Sequence, residues 1–470
     1  MNKTLRRCFV SLLALGLSGA LMAADTPGPQ PTPIQFPSKF GSLSFPAQFP
    51  TGTTITITQW HHFVPSYDVW FDKYAAEWGK KNNVKVVVNH IGYADLIPTL
   101  SAAIAAGKGP TLLQVISPPA SFIQGLQNLD AVNEAAEQAF GKATEICTSQ
   151  TYLPIKKEWY GYCHSWVPDV GDYRISLWKK AGYPTGPHTY ADLLEGGTKI
   201  FKATGIPVGV GLSPGIDSEF YVRSLIWSFG GRLFGKCGHV ALDSPQVIDA
   251  VNYQAKLFED AETPEIFGWN AASNNQAFIS GQASYIQNSI SFYRTAQQQR
   301  NPTAPDTGFV PGLKGPTGQV HQTAHLWAIY VMPKYVTNKD AKLAAEKFLL
   351  DLTSNASWVT YESKLYNFPA FPKQVPQLTA WLAHDPFGSQ PPDKLDILRN
   401  AEAVTAWPGF PGSANPAVSE IYNTHLMTTM MAEVARGQKT PEQAVKDTAQ
   451  QMERIVAKWK KLGLVGCAAQ

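Results

Sequence analysis

The 470-residue chain carries 39 basic and 36 acidic residues, a formal charge of +3, and 44% hydrophobic residues. That is enough apolar sequence for two or three packed domains, and too even a charge for nucleic-acid binding or electrostatic steering. The slight excess sits at the start: once Lys3, Arg6 and Arg7 are set aside, the rest of the chain holds 36 of each sign.

Those cations precede an apolar run, Phe9 to Met22, and the small pair Ala23-Ala24. Residues 1–24 read as a signal peptide cleaved near Ala23 or Ala24, the apolar run being too short and too rich in small residues for a membrane span. Arg6-Arg7-Cys8-Phe9-Val10 faintly resembles a twin-arginine signal, so the export route stays open. No cysteine follows the run to take a lipid anchor, and a free periplasmic protein is expected. Residues 25–52 place Pro27, Pro29, Pro31 and Pro33 at every second position, which predicts an extended, partly disordered arm.

The stretch from Thr54 to Ile116 is the organising unit. Ile55 and Ile57 alternate with threonines as in a strand. Trp70, Phe71, Tyr74 and Trp78 share one helical face, with Ser66 as a fair N-cap. Val84 to Val88 is a buried-strand run. Leu96, Leu100, Ala103 and Ile104 form a second helical face that Gly107 is placed to stop, and Leu112 to Ile116 is a third strand. Strand, helix, strand, helix, strand predicts a doubly wound parallel sheet, whose ligands sit beyond the carboxyl ends of the strands. Gln59-Trp60-His61-His62-Phe63 would then lie at a mouth.

Several motifs carry a family likeness. They are the strand ending in Trp60, Tyr93 to Leu96, Ala102 to Pro110, Tyr160-Gly161-Tyr162, Tyr173 to Gly182, Leu242 to Pro245, and Phe309 to Pro316. The most specific is Ala277-Phe278-Ile279-Ser280-Gly281-Gln282-Ala283. In this the chain resembles the extracellular solute-binding proteins of ABC importers, the large sugar-binding type that includes the maltose-binding protein. It departs from the pattern at Thr111, where the family often has Asp, and at Cys163, where Pro is usual. The resemblance implies an α/β fold of two lobes (type II), each a mainly parallel sheet flanked by helices, with hinge crossings. Lobe 1 would take residues 53–167 and 315–372, and lobe 2 residues 168–314 and 373–470. It further implies a ligand gripped between the lobes, delivery to ABC importer permease subunits, and no cofactor. A monomer without nucleic-acid partners is expected.

Beyond the signal, Cys147, Cys163, Cys237 and Cys467 form an even set, which in an oxidising compartment favours disulfides. Of three pairings, Cys147–Cys163 and Cys237–Cys467 are favoured. Their spacing does not suit zinc. His61 and His62, adjacent on a strand, should face opposite sides and not share one metal, so no metal site is expected, although either could line the cleft.

Trp60, Trp166, Trp227, Trp269, Trp327 and Trp407 all fall at predicted strand ends or loops. An indole covers the C–H face of a sugar ring while polar groups take its hydroxyls. Ser117, Asp169, Asp217, Asn275, Asn288, Ser289 and His325 are the polar candidates, with Asn274 beside them. The leading expectation is capture of a sugar or polyol without chemistry. The alternative is a secreted carbohydrate-active hydrolase using a pair of cleft carboxylates; no nucleophile elbow, phosphate loop or close-spaced metal cluster appears in the sequence.

Overall fold

The computed structural model describes residues 28–467, so the expected signal peptide and the first residues of the arm lie outside the described residues. The first strand, β1 (Thr54–Trp60), pairs in parallel with β2 (Lys85–Ile91) and with β3 (Leu112–Val115). Ile55 and Ile57 are fully buried, as their alternation predicts. The helix between β1 and β2, α1 (Pro65–Asn82), buries Tyr67, Phe71, Tyr74 and Trp78 on one face. It begins at Pro65 and not after Ser66, because a proline's fixed φ suits the first helical position. The Ser66 hydroxyl instead donates to the Glu362 carbonyl. The next helix, α2 (Leu96–Ala106), ends at Gly107 with φ +64°, a conformation that glycine adopts without steric cost. Strand β2 is a sheet edge, so Val86 and Val88 are half-buried where the apolar run suggested full burial.

The later strands are β4 (Tyr162–Pro168), β5 (Val170–Arg174), β6 (Tyr285–Asn288), β7 (Thr307–Val310), β8 (Gln322–Val331), β9 (Phe368–Pro369) and β10 (Thr405–Ala406). One seven-stranded sheet runs β9-β4-β8-β3-β1-β2, with β10 beside β8. A three-stranded sheet runs β6-β5-β7. The two-lobed α/β class holds, with mixed strand directions inside it. Strand β8 enters the large sheet antiparallel to β3 and β4, and the small sheet is antiparallel throughout. The run Ile206 to Leu212 predicts a strand from its sequence, yet it makes only a single bridge, between Val208 and Tyr285. Gly209 and Gly211 interrupt the run, and the Trp269 indole occupies the space a Gly209 side chain would need.

The chain passes from the large sheet to the small one between β4 and β5, where the first lobe crossing is expected, with Asp169 the residue between. It returns between β7 and β8. The apolar side chains fall into two clusters; the first takes in most of lobe 1 and also Phe278, Ile286, Phe292 and Phe309 from the expected lobe 2. Trp381, Leu382, Leu395 and Leu398 belong to the first of them, with Phe371 and Tyr162. Residues 381–398 thus contribute to the first cluster, although the expected lobe boundary lies at residue 373. Beyond β10 the tail helices give Val418, Ile421, Met427, Met430 and Met452 to the second cluster.

The proline-rich arm, where described, is strapped to lobe 1 and not loose. The Trp381 indole donates to the Pro29 carbonyl at 2.6 Å, the Trp358 indole to Thr32 at 2.7 Å, and Lys347 Nζ to Pro37 at 2.7 Å. An extended proline-rich backbone has no internal hydrogen bonds, so side chains of the lobe satisfy it. Phe40, Phe45 and Phe49 anchor the rest of the arm in the core. Both favoured disulfides are present, Cys147–Cys163 and Cys237–Cys467. The first closes 16 residues, worth about 3 kcal/mol in the chain-entropy account. Among the described residues no helix is long and apolar enough to cross a membrane.

Candidate ligand-binding site

The carboxyl ends of β1 and β3 point at lobe 2, as a parallel sheet requires. On the lobe 1 side stand Phe63, Tyr93, Ile116 and Ser117. Facing them are the loop before α3 (Ile216–Ser228), the Trp269–Ala271 loop, and the carboxyl end of the helix Pro416–Asn423. The lobes touch where the Ala271 backbone N–H donates to the Tyr93 hydroxyl at 3.3 Å. Between them lies a cavity of about 380 Å³, bounded by Tyr93, Ile97, Ile116 and Ser117 from lobe 1 and by Gly215, Trp269, Asn270, Tyr422 and His425 from lobe 2. It offers flat rings, a hydroxyl, an amide and an imidazole, the set that suits a polyhydroxylated ring.

A buried polar seam continues from that cavity. His325 Nδ1 lies 3.1 Å from the Asp169 carboxylate, to which the Gln287 amide also donates at 2.6 Å. The Asn274 amide donates to Asp217 at 2.9 Å, and both line a small recess with Ser213 and Gly215. The Asn288 amide donates to the Asn275 side-chain carbonyl, and the Asn288 side-chain carbonyl in turn accepts from Ser289 N–H at 2.7 Å. Asn275 lies inside the helix Ser273–Ile279 and so does not cap it.

Aromatic rings bridge the same seam. Trp60 sits 4.9 Å from His62, His62 4.9 Å from Tyr366, Tyr366 6.3 Å from His325, and His325 4.7 Å from Phe220 of α3 in lobe 2. Burial lowers the His62 imidazole to about 4, against the raising effect of its hydrogen bonds to Asn367 and Val64, so it is neutral near pH 7.

Burial also pushes the Asp217 carboxyl up, to about 7, with the nearby Asp169 adding to the rise and His325 and Asn274 opposing it. Against an ordinary value of 3.8, the folded protein keeps a proton here between pH 4 and 7 that the unfolded chain has released. This group's contribution to stability therefore falls as pH rises through that window, and levels off above it. The depressed histidines His62 and His164 work the other way over part of the same range, so the informative quantity is a difference. Relative to Asp217→Asn, wild type should lose about 1 kcal/mol more per pH unit from pH 4 to 7 in denaturant titrations. Parallel curves would show that Asp217 is ionised throughout.

Of the residues expected in the site, Trp60, His62, Asp169, Asp217, Asn275, Asn288, Ser289 and His325 meet in the inter-lobe seam, and Ser117 and Trp269 line the cavity. Four tryptophans do not reach it. Trp166 packs on Phe368 in the large sheet, and Trp327, in register with it on β8, is fully buried with its N–H donated to the Ile146 carbonyl. Trp227 is fully buried in the lobe 2 core, and Trp407 folds over Phe410 with its N–H donated to Gly412. Strand ends inside a two-lobed molecule also face the layer of helices, and large indoles are most readily buried there. His61 is exposed at the rim, its side chain 69% accessible.

The sequence reading placed Phe63 at the mouth but missed Tyr93, Phe220, Gln287, Tyr366, Tyr422 and His425. Tyr93 stood inside a motif noted for its family likeness, Gln287 directly precedes the candidate Asn288, and Tyr366 stands two residues before β9. The remaining three carried no local signal, because packing between lobes brings them in.

A sequence comparison with curated proteins gives no match. Among solved structures the chain is similar to the maltose-bound MalE3 of T. maritima, with 20% identity, a TM-score of 0.70, and coverage of 86% of this chain and all of that one. It is also similar to a sugar transporter protein from Arthrobacter chlorophenolicus A6 with bound laminaribiose (17% identity, TM-score 0.69, coverage 85% and 99%). A third is an ABC transporter solute-binding protein from Agrobacterium radiobacter K84 in complex with ribitol (17% identity, TM-score 0.69, coverage 86% and 99%). At such identities these likenesses speak for the two-lobed fold. Residues 73–387, the greater part of the chain, match the model of the bacterial extracellular solute-binding proteins, and the chain belongs to that family.

Proposed function

We propose that the protein is the periplasmic substrate-binding component of an ABC importer. It captures a sugar or polyol between its lobes and hands it unchanged to a membrane permease. The observation that carries this reading is the cavity walled by both lobes, with the Trp269, Tyr93 and Tyr422 rings set beside Ser117, Asn270 and His425. A ligand there gains contacts from both walls only when the lobes are together, so it favours the closed form over the open one. The Tyr93–Ala271 hydrogen bond would be made and broken with each closure. The carboxylates of the seam are engaged by His325, Gln287 and Asn274, which suits fixed recognition groups. The maltose, laminaribiose and ribitol named for its structural relatives support the ligand class. The protein would be exported with its signal cleaved near Ala23 or Ala24, and would work as a monomer.

A thermal-shift screen across mono- and oligosaccharides and polyols tests this. At a hundredfold excess over its dissociation constant, the true ligand should stabilise the fold by about 3 kcal/mol. The ligand should be recovered intact. No response to any sugar or polyol, or release of products from a chromogenic glycoside, would overturn the reading.

A further inference from the structure

Outside the seam, at the rim of lobe 1, four side chains from three elements converge. His61 follows β1 directly, and His90 lies on the neighbouring strand β2, opposite Gln59. Their rings stack at 5.5 Å and 22°. Asp68, in the first turn of α1, holds Oδ1 3.4 Å from His90 Nδ1 and Oδ2 3.9 Å from His61 Nδ1. Its Oδ2 is oriented by the His62 backbone N–H at 3.0 Å, whereas its Oδ1 is buried and accepts no hydrogen bond. On the other edge of the His90 ring, Nε2 lies 2.8 Å from Asp72 Oδ1, one helical turn beyond Asp68.

The protons decide what this cluster is for. A neutral imidazole carries one N–H and one lone pair. If His90 gives its Nε2–H to Asp72, its Nδ1 lone pair is aimed at two oxygens, the unpartnered Asp68 Oδ1 and the Trp60 carbonyl 3.5 Å away. His61 Nδ1 faces the same carboxylate. Lone pairs directed at a common point repel unless a cation lies between them. We propose that His61, Asp68 and His90 bind one divalent cation of the zinc class, with Asp72 acting as a positioning residue that fixes the His90 tautomer. Imidazole nitrogen and carboxylate oxygen are the donors zinc takes, and a carboxylate behind a ligating histidine is the usual outer support. Bonds of about 2.0–2.1 Å in a tetrahedron place ligand atoms roughly 3.3 Å apart, close to the His90–Asp68 separation. The three ligating atoms already lie within 4.8 Å of one another, and the exposed His61 is free to swing the remaining distance. The fourth position opens to solvent. The adjacent His62 plays no part, since its ring turns inward to Asn367. A cation held here would clamp the Trp60–Phe63 end of β1 to α1 and β2, on the wall that meets lobe 2.

The test uses the untagged full chain, stripped with a chelator and titrated with zinc chloride alone, with bound metal counted by atomic absorption after gel filtration. One zinc per chain is expected, with a rise in melting temperature. His61→Ala should keep the metal-free melting temperature, because the ring is exposed, and should lower zinc affinity at least tenfold. His90→Ala should lower zinc affinity to the same extent, and Asp72→Asn should lower it 10- to 100-fold while leaving all three ligands in place. Cobalt in place of zinc should give visible absorption bands that His61→Ala weakens. Fewer than one zinc per wild-type chain would overturn the proposal. Zinc uptake unchanged in both His61→Ala and His90→Ala would place the metal elsewhere and overturn it equally.

Discussion

Replacing Asp385 by alanine is expected to lower the free energy of unfolding by about 3–5 kcal/mol. Arg294 grips this carboxylate with two nitrogens, at 2.6 and 3.0 Å, and neither side chain is more than 2% accessible. The remaining donors and acceptors are also used. Arg294 Nε donates to the Lys364 carbonyl at 2.9 Å, and Asp385 accepts from the Ser389 hydroxyl and from Phe387 N–H. The pair joins the helix Ser291–Gln298, which follows β6 of lobe 2, to the segment that carries Trp381 and Leu382 into the lobe 1 core. Removing the carboxylate leaves a buried guanidinium without its counter-charge. Arginine cannot escape by losing its proton, so the whole desolvation penalty falls on the fold. The measurement is a urea titration, in which the midpoint should drop with little change in slope. A double replacement, Arg294→Met with Asp385→Leu, removes both charges and should recover most of the loss. A loss below about 1 kcal/mol in Asp385→Ala would show that solvent reaches the pair.

Local pattern carried the fold further than it carried the site. Alternation at Ile55 and Ile57, the aromatic stripe on α1 and the stop at Gly107 each have a local cause, and each element formed where that cause placed it. The boundary at α1 shifted by two residues, the cap moving from Ser66 to Val64, because Pro65 takes the first helical position. The strand read at 206–212 failed for a reason outside the stretch, since Trp269 needs the space over Gly209. Likewise, nothing local in Trp381 or Leu395 says which of the two apolar clusters will bury them. The site is built from such non-local meetings. His325 reaches Asp169 across 156 residues, and Tyr93 reaches Ala271 across 178. Polar residues at strand ends, such as Asp169 and Asn288, gather in the seam, because a polar side chain near a core must find a partner. Trp166 and Trp327 do not, because burial alone satisfies an indole once its N–H has an acceptor, as Trp327 has in Ile146.

That difference among the tryptophans supplies the second large effect. Trp269→Ala should weaken sugar or polyol binding by at least about 2 kcal/mol, roughly 30-fold in Kd, and so remove the ligand-induced rise in melting temperature at concentrations just above the wild-type Kd. Trp269 borders the inter-lobe cavity and is half-buried, with its backbone carbonyl held by the Ser213 hydroxyl at 2.5 Å. The loop is therefore fixed through its main chain, and truncating the side chain should leave its path intact while removing the flat apolar surface. Trp327→Phe is the contrasting variant. It deletes an N–H that satisfies the buried Ile146 carbonyl, so it should cost about 1–3 kcal/mol of folding stability in the absence of ligand. Its ring lies in the lobe 1 core, away from the cavity, so the ligand-induced shift should persist on a lower baseline. Calorimetric titration separates the two outcomes, since one variant changes Kd and the other the melting temperature. If Trp269→Ala binds as tightly as wild type, the cavity between Tyr93 and Tyr422 is not where the ligand sits.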